Sequence, residues 1–206
     1  RSRGNLSGKL SHAISDSEWW LSFEAWRVIT ASQYMASELH DYFSVPEDKI
    51  DIVPNGIDTA PFDRLDGDDL ATFRARYAEP GDQLVFNVGR LVHEKGAHLL
   101  IEAVPAIVAQ QADVKFVVAG VGPMLGELQA RIAELGIERN VDFAGFISND
   151  ERNRLYKVSD CAVFPSIYEP FGIVALEAMA SKCPLVVAST GGLAEVVQNH
   201  ETGVTV

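Results

Sequence analysis

Leu84-Val-Phe-Asn-Val-Gly-Arg90 runs into the turn Leu91-Val-His-Glu-Lys-Gly96. A helical stretch over residues 97–111 then leads to a second apolar run, Val114-Lys-Phe-Val-Val-Ala-Gly120. A strand, a glycine-bounded turn, a helix and another strand in that order form a βαβ unit. The alternation continues outward from it. Strands are expected at 84–90, 114–120, 141–145, 161–166, 184–189 and 203–206, with helices over 97–111, 123–135, 150–158, 172–181 and 193–198. The runs Val117-Val-Ala-Gly120, Cys161-Ala-Val-Phe164 and Leu185-Val-Val-Ala188 are apolar at consecutive positions, so both faces of the sheet are covered. The expected fold class is α/β, a doubly wound parallel sheet.

Upstream the pattern is less complete. Trp19, Trp20 and Phe23 fall at helical spacing within 12–25 and are expected to pack that helix, with no catalytic part. Arg27-Val-Ile-Thr30 reads as a strand, Ser32 as the cap of a helix to about Phe43, and 50–58 as a strand running into a Pro-Asn-Gly turn. Residues 59–82 mix Pro, Asp and Gly around one acidic helix, the composition of a junction. The expected division is therefore 1–58 and 59–206.

Composition narrows the function. The chain has 206 residues, 47% hydrophobic and 22% charged, with a net charge of −12. That is a globular composition, not a disordered one. Its negative charge argues against nucleic acid and anionic lipid as partners. No apolar run reaches the ~20 residues of a membrane span. Two cysteines, Cys161 and Cys183, in apolar surroundings read as buried free thiols of a cytosolic protein. Arg1 is no initiator Met and 202–206 is strand-like, so the chain is expected to be a piece of a longer polypeptide.

Ligands of open parallel sheets collect beyond the carboxyl ends of the strands, so the strand-to-helix turns are where chemistry is expected. They are Gly89–Gly96, Gly120-Val-Gly122-Pro123, Gly145-Phe146-Ile147-Ser-Asn149, Ser166-Ile-Tyr-Glu169-Pro-Phe171-Gly172 and Ser189-Thr190-Gly191-Gly192. Glycine lets a ligand approach the backbone, and its concentration on one rim points to a phosphate-bearing ligand. Arg90 and Lys95, five positions apart, suit a diphosphate, one as a bidentate fork and the other as a point charge. They also read as two surface cations on a solvated loop, with Glu94 as a partner.

Glu169 and Glu177 stand eight positions apart, one in the loop and one inside an apolar helix. A carboxylate among Leu176, Ala178 and Met179 is costly unless hydrogen-bonded, and a ribose would satisfy it. Alternatively Glu177 faces solvent, favoured by the helix dipole. The N-terminus of that helix at Gly172, Ile173 and Val174 offers N–H groups to a phosphate. His93 and His98 read as loop residues, with no partner set at metal-ligand spacing. Gly120-Val-Gly-Pro-Met-Leu-Gly126 misses the dinucleotide fingerprint, and no Walker lysine or nucleophile-elbow motif occurs.

The ordered set Gly89-Arg-Leu-x-x-x-Lys95-Gly96, Gly120-x-Gly-Pro123, Glu169-x7-Glu177 and Gly191-Gly-Leu-x-Glu195 resembles the retaining GT-B glycosyltransferases of the glycogen synthase and sucrose synthase family. Ile52-Val-Pro-Asn-Gly-Ile-Asp58 is similar to that family's connection between its two Rossmann-like domains. The resemblance implies a nucleotide-sugar-binding domain at 59–206, with 1–58 a remnant of the acceptor-side domain. It implies transfer of a hexose, glucose foremost, from a UDP- or ADP-glucose type donor to an acceptor hydroxyl, a glucan among the candidates. No metal or cofactor is expected.

By the same resemblance Arg90 and Lys95 would hold the diphosphate, Glu177 the ribose, and Glu169 would face the donor sugar. Backbone at Phe171, Gly172, Ile173 and Val174 would reach sugar and phosphates, and Gly145, Phe146 and Ile147 would border the base. Gly89, Gly120, Gly122, Thr190, Gly191, Gly192 and Glu195 lie on the same rim. Most of the first domain would be missing, so the isolated chain is expected to be inactive. Two other readings stay open, an NAD(P)-dependent oxidoreductase and a non-catalytic nucleotide-binding module.

Overall fold

The computed structural model of the chain describes residues 8–65 and 69–206. The N-terminal segment comprises α1 (Gly8–Glu24), β1 (Val28–Thr30), α2 (Gln33–Phe43) and β2 (Ile50–Ile52). β1 and β2 pair in parallel, with Val28 opposite Ile50. Ser32 caps α2 as its residue type requires. Its backbone is extended, and its Oγ accepts the Met35 N–H at 3.1 Å.

The aromatic residues of α1 correct an expectation. Trp19 stacks on Phe23 with 5.2 Å between ring centroids, yet Trp19, Trp20 and Phe23 are 42%, 55% and 60% exposed. They cover one another rather than packing the helix onto a core. Trp19, Trp20 and Phe23 share one face of α1, in ring contact with one another, and that face stays exposed.

The junction holds two one-turn helices, α3 (Ala60–Asp63) and α4 (Ala71–Arg74), in place of the single helix expected there. Residues 66–68 of that stretch lie outside the described residues. Phe62 and Leu65 are buried, and Phe62 packs in the same core as Leu84 and Phe86.

The remainder is a six-stranded parallel sheet. Its strands are β3 (Gln83–Val88), β4 (Val114–Ala119), β5 (Val141–Gly145), β6 (Cys161–Phe164), β7 (Leu185–Val187) and β8 (Val204–Thr205). Its helices are α5 (Ala97–Gln110), α6 (Leu125–Leu135), α7 (Asn149–Val158), α8 (Ile173–Ala180) and α9 (Leu193–Val196). α9 is shorter than expected because Val197 turns extended. α6 starts after Met124, whose N–H is held by the Leu91 carbonyl at 3.1 Å.

The strand order is β5-β4-β3-β6-β7-β8. The chain builds outward from β3 in one direction, then crosses back and builds from β6 in the other. Each face has its own core. Leu100, Ile101 and Val104 of α5 and Leu128 and Ile132 of α6 pack with Phe116 and Val118 on one face. Leu155 and Tyr156 of α7, Ala175 and Ala178 of α8 and Leu193 of α9 pack with Phe86, Val117 and Phe164 on the other. Neighbours on β4 thus alternate between two cores, as strand geometry demands. Each large side chain fully buried here contributes roughly 1.5–3 kcal/mol.

The order reverses between β3 and β6, whose paired residues include Val85 with Cys161 and Phe86 with Ala162. In a doubly wound sheet that reversal opens a crevice beyond the carboxyl ends of the two strands. The turns after β3 and β6 carry Lys95 and Glu169.

Candidate active site

The two turns are clasped at the switch point. Glu94 O accepts the N–H groups of Ile167 and Tyr168 at 2.8 and 3.2 Å. Lys95 Nζ lies 2.6 Å from Glu169 Oε2, and the Ser166 hydroxyl lies 3.4 Å from the same oxygen. Gly96 makes this approach possible. A Cβ there would sit 1.8 Å from the Pro165 carbonyl oxygen, so no side chain fits. Lys95 therefore pairs with Glu169, not with Glu94.

Arg90, Lys95, Ser166, Glu169 and Val174 line a cavity of about 40 Å³ at this point. Arg90 is exposed at its mouth, whereas Glu169 is buried. This small space between two cations and a carboxylate, beside Val174 of α8, is of the size of a single small group. Ile173 and Val174 at the start of that helix have no helical carbonyl before them to accept their N–H groups, whereas Ala175 N–H donates to Gly172 O at 3.0 Å.

Glu177 is one turn further along α8 and buried. Arg152 Nη2 of α7 lies 3.0 Å from its Oε1, and the Tyr156 hydroxyl lies 3.3 Å from its Oε2. The structure thus corrects the solvent-facing reading of this residue and removes the burial argument for the other. Glu177 does not face solvent, and protein groups already satisfy it, so its burial alone does not call for a ligand. Burial pushes its carboxyl above the ordinary range, with Arg152 and the Tyr156 hydroxyl pulling the other way. Tyr156 is pushed well above the usual phenol range, chiefly by burial.

A larger cavity of about 720 Å³ runs beside Glu177, between the start of α7, the start of α8 and residues 56–65. It lies next to the switch point, not on it. Arg152, Asn153 and Glu177 are among its polar lining residues, and Ile57, Phe62, Leu65 and Ile173 among its apolar ones. Among the described residues no group of three or more His, Cys, Asp or Glu is placed to hold a metal ion.

Most of the rim glycines are accounted for by loop-to-loop packing. A Cβ on Gly120 would lie 1.8 Å from Gly89 O, and one on Gly122 2.3 Å from Leu91 O, so the turns after β3 and β4 stack backbone on backbone. A Cβ on Gly191 would lie 2.1 Å from Glu169 O, one on Gly192 2.3 Å from Phe171 Cα, and one on Gly172 2.6 Å from Leu193 Cδ2. Their concentration follows from this packing and does not by itself indicate a phosphate. Gly89 and Gly145 are the rim glycines with room, and Phe146 beside Gly145 stands 84% exposed while Ile147 packs inward.

The Thr190 hydroxyl donates to Ile167 O at 3.2 Å and Gly192 N–H to Glu169 O at 2.8 Å, fastening the last turn under the Glu169 loop. Glu195 points elsewhere. Its carboxylate accepts the N–H groups of Gln33 and Tyr34 at 2.9 and 2.6 Å. His93 stacks on His98 at 4.7 Å, outside the cavity at the switch point. Sequence reasoning missed Arg152 and Tyr156. Their spacing of four on α7, which sets them on one helix face, was the available signal.

A reversed strand order with charged turns converging on its switch point defines a doubly wound, Rossmann-like ligand-binding domain. The chain belongs to the glycosyl transferases group 1, whose family profile matches residues 70–206. The Glycosyltransferase Family 4 profile matches residues 3–61.

An uncharacterized glycosyltransferase of Methanocaldococcus jannaschii is 40% identical over 98% of this chain and 52% of its own length. The glycogen synthase of Mycobacterium tuberculosis is 36% identical over 100% of this chain and 47% of its own. The chain therefore spans about half the length of these relatives. Anabaena Alr3699/HepE, solved in complex with UDP and glucose, superimposes with a TM-score of 0.83 at 25% identity, over 97% of this chain and 55% of that one. Sucrose-phosphate synthase of Thermosynechococcus elongatus follows at 0.79 and 26%, over 98% and 51%. The architecture is that of the GT-B glycosyltransferases. No helix among the described residues is long and apolar enough to cross a membrane.

Proposed function

We propose that residues 59–206 are the donor-binding half of a retaining glycosyltransferase and that 1–58 belong to its acceptor side. The donor is a nucleoside diphosphate hexose, with UDP-glucose or ADP-glucose as the leading type. The acceptor supplies a hydroxyl, on a glucan or another sugar. The observation that carries this reading is the Lys95–Glu169 pair at the switch point, with Arg90 on the same small cavity.

In this reading the bond from the anomeric carbon to the β-phosphate oxygen breaks, and a bond to the acceptor oxygen forms on the same face. The acceptor's proton leaves with the diphosphate. Charge grows on the departing phosphate, and Arg90 and Lys95 stand ready to stabilise it without a metal. Glu169 takes the sugar hydroxyls and Glu177 the ribose, exchanging part of its bond to Arg152. The backbone of Gly145, Phe146 and Ile147 borders the base. Two free thiols, Cys161 and Cys183, suit a reducing, cytosolic compartment.

Calorimetric titration of the chain with UDP-glucose, ADP-glucose and NADH tests the reading. A nucleotide sugar should bind and NADH should not, because the turn after β3 carries Arg90 and Lys95 where a dinucleotide site has glycines. Transfer should be absent in the chain alone, since orientation across a two-sided cleft can supply about 7–11 kcal/mol of barrier lowering. Tight NADH binding, or rapid transfer by this chain, would overturn it.

A further inference from the structure

The contacts that join the N-terminal segment to the rim converge on the Glu169 loop. The Ser32 hydroxyl donates to Pro170 O at 2.5 Å. The Tyr168 hydroxyl donates to Glu38 Oε2 at 3.1 Å, and the Tyr34 and Tyr168 rings meet edge to face at 6.0 Å. Gly191 lies between the two parts, where a Cβ would meet Glu169 O on one side and Tyr34 Cδ1, at 3.3 Å, on the other.

Glu195 fixes this assembly. The first N–H groups of a helix have no partner within it. In α2, Glu195 takes those of Gln33 and Tyr34, while the Ser32 side chain takes that of Met35. An anion at a helix N-terminus is also favoured by the helix dipole. Glu195 N–H in turn donates to Gly192 O at 3.2 Å, and Gly192 N–H to Glu169 O at 2.8 Å. An unbroken series of bonds thus runs from the start of α2 through Glu195 and Gly192 to the backbone of Glu169. It links the segment matched by one family profile to that matched by the other.

We propose that Glu195 is a positioning residue. It clamps α2 to the 166–172 loop, so that the seating of the N-terminal segment sets the place of the Glu169 carboxylate. The inference rests on the reading that Glu169 faces the donor sugar, and it assigns Glu195 no contact with substrate.

The test combines amide hydrogen exchange and calorimetry on the 206-residue chain. Glu195→Gln keeps the shape but turns an NH₂ toward one backbone N–H. Exchange at Gln33 and Tyr34 should accelerate about fivefold, as for a lost helix cap. Exchange at Gly192 and Ile167 should rise with it, which a merely local cap would not cause. UDP affinity should stay within about twofold, whereas UDP-glucose should weaken about fivefold, because only the sugar depends on Glu169.

Tyr168→Phe cuts a second tie without touching Glu195 and should reproduce the selective loss of UDP-glucose. Faster exchange confined to Gln33 and Tyr34, or equal weakening of both ligands, overturns the clamp. If the wild-type chain binds neither ligand, the donor reading falls. The exchange at Gly192 and Ile167 then decides the clamp by itself.

Discussion

Lys95 Nζ and Glu169 Oε2 stand 2.6 Å apart although 74 positions separate the two residues. The pair exists because β3 and β6 are neighbours and their turns leave the sheet on the same side. Glu169 is buried, and besides Lys95 its carboxylate has the Ser166 hydroxyl at 3.4 Å. The ion pair therefore holds the loop and the carboxylate together.

Removing one partner should cost more than removing both. Lys95→Met leaves a buried carboxylate without its cation and should lower stability by about 1–3 kcal/mol. The double variant Lys95→Met with Glu169→Gln should recover most of that loss. Urea unfolding midpoints of the two single variants and the double variant measure the coupling. Strict additivity would show that the pair contributes nothing.

Arg90 should act on binding with little effect on stability, since it is exposed at the mouth of the cavity. Arg90→Ala should weaken nucleoside diphosphate binding by about 1.5–3 kcal/mol, the range for a charged hydrogen bond. Added salt should weaken wild-type binding and narrow the gap. Titration with UDP and ADP at two salt concentrations checks both, and equal affinities would remove Arg90 from the site.

The two glutamates should fail differently. Glu177→Gln should weaken UDP and UDP-glucose alike, by about 1.5–3 kcal/mol, because both contain the ribose. Glu169→Gln should spare UDP and weaken only the sugar-bearing ligand. Glu177→Gln should leave thermal stability at neutral pH unchanged or slightly higher, since burial opposes the charge more than Arg152 supports it. A fall in stability with unchanged affinity for both ligands would make Glu177 purely structural.

The pH dependence follows from Glu177. Burial raises its carboxyl, with Arg152 opposing. The folded state then holds the proton more tightly than the unfolded chain. The stability from this group is complete below the ordinary carboxylate range and is lost as pH rises through the raised value. Ribose binding runs the other way and strengthens as the carboxylate ionises. Arg152→Met should push the carboxyl higher still and move the rise in UDP affinity to higher pH. Subtracting the profile of Glu177→Gln removes the titration of UDP itself, and a profile unmoved by Arg152→Met would sink this account.

The alternation of apolar runs and helical stretches from Leu84 onward was enough to determine the parallel sheet, its covered faces and the turns that bear Arg90, Lys95, Glu169 and Glu177. Those features depend on neighbours within a few positions, where side-chain periodicity and turn glycines act. The partners of those residues depend on strand order instead, which no local pattern carries. Lys95 could as well have met Glu94 beside it, and Glu177 could have faced water. The reversal between β3 and β6 brought Lys95 to Glu169, the packing of α7 on α8 brought Arg152 and Tyr156 to Glu177, and the docking of α2 brought Gln33 and Tyr34 to Glu195. Buried charges must find a partner, and which one they find is decided by the elements that pack together, not by the residues adjacent in the chain.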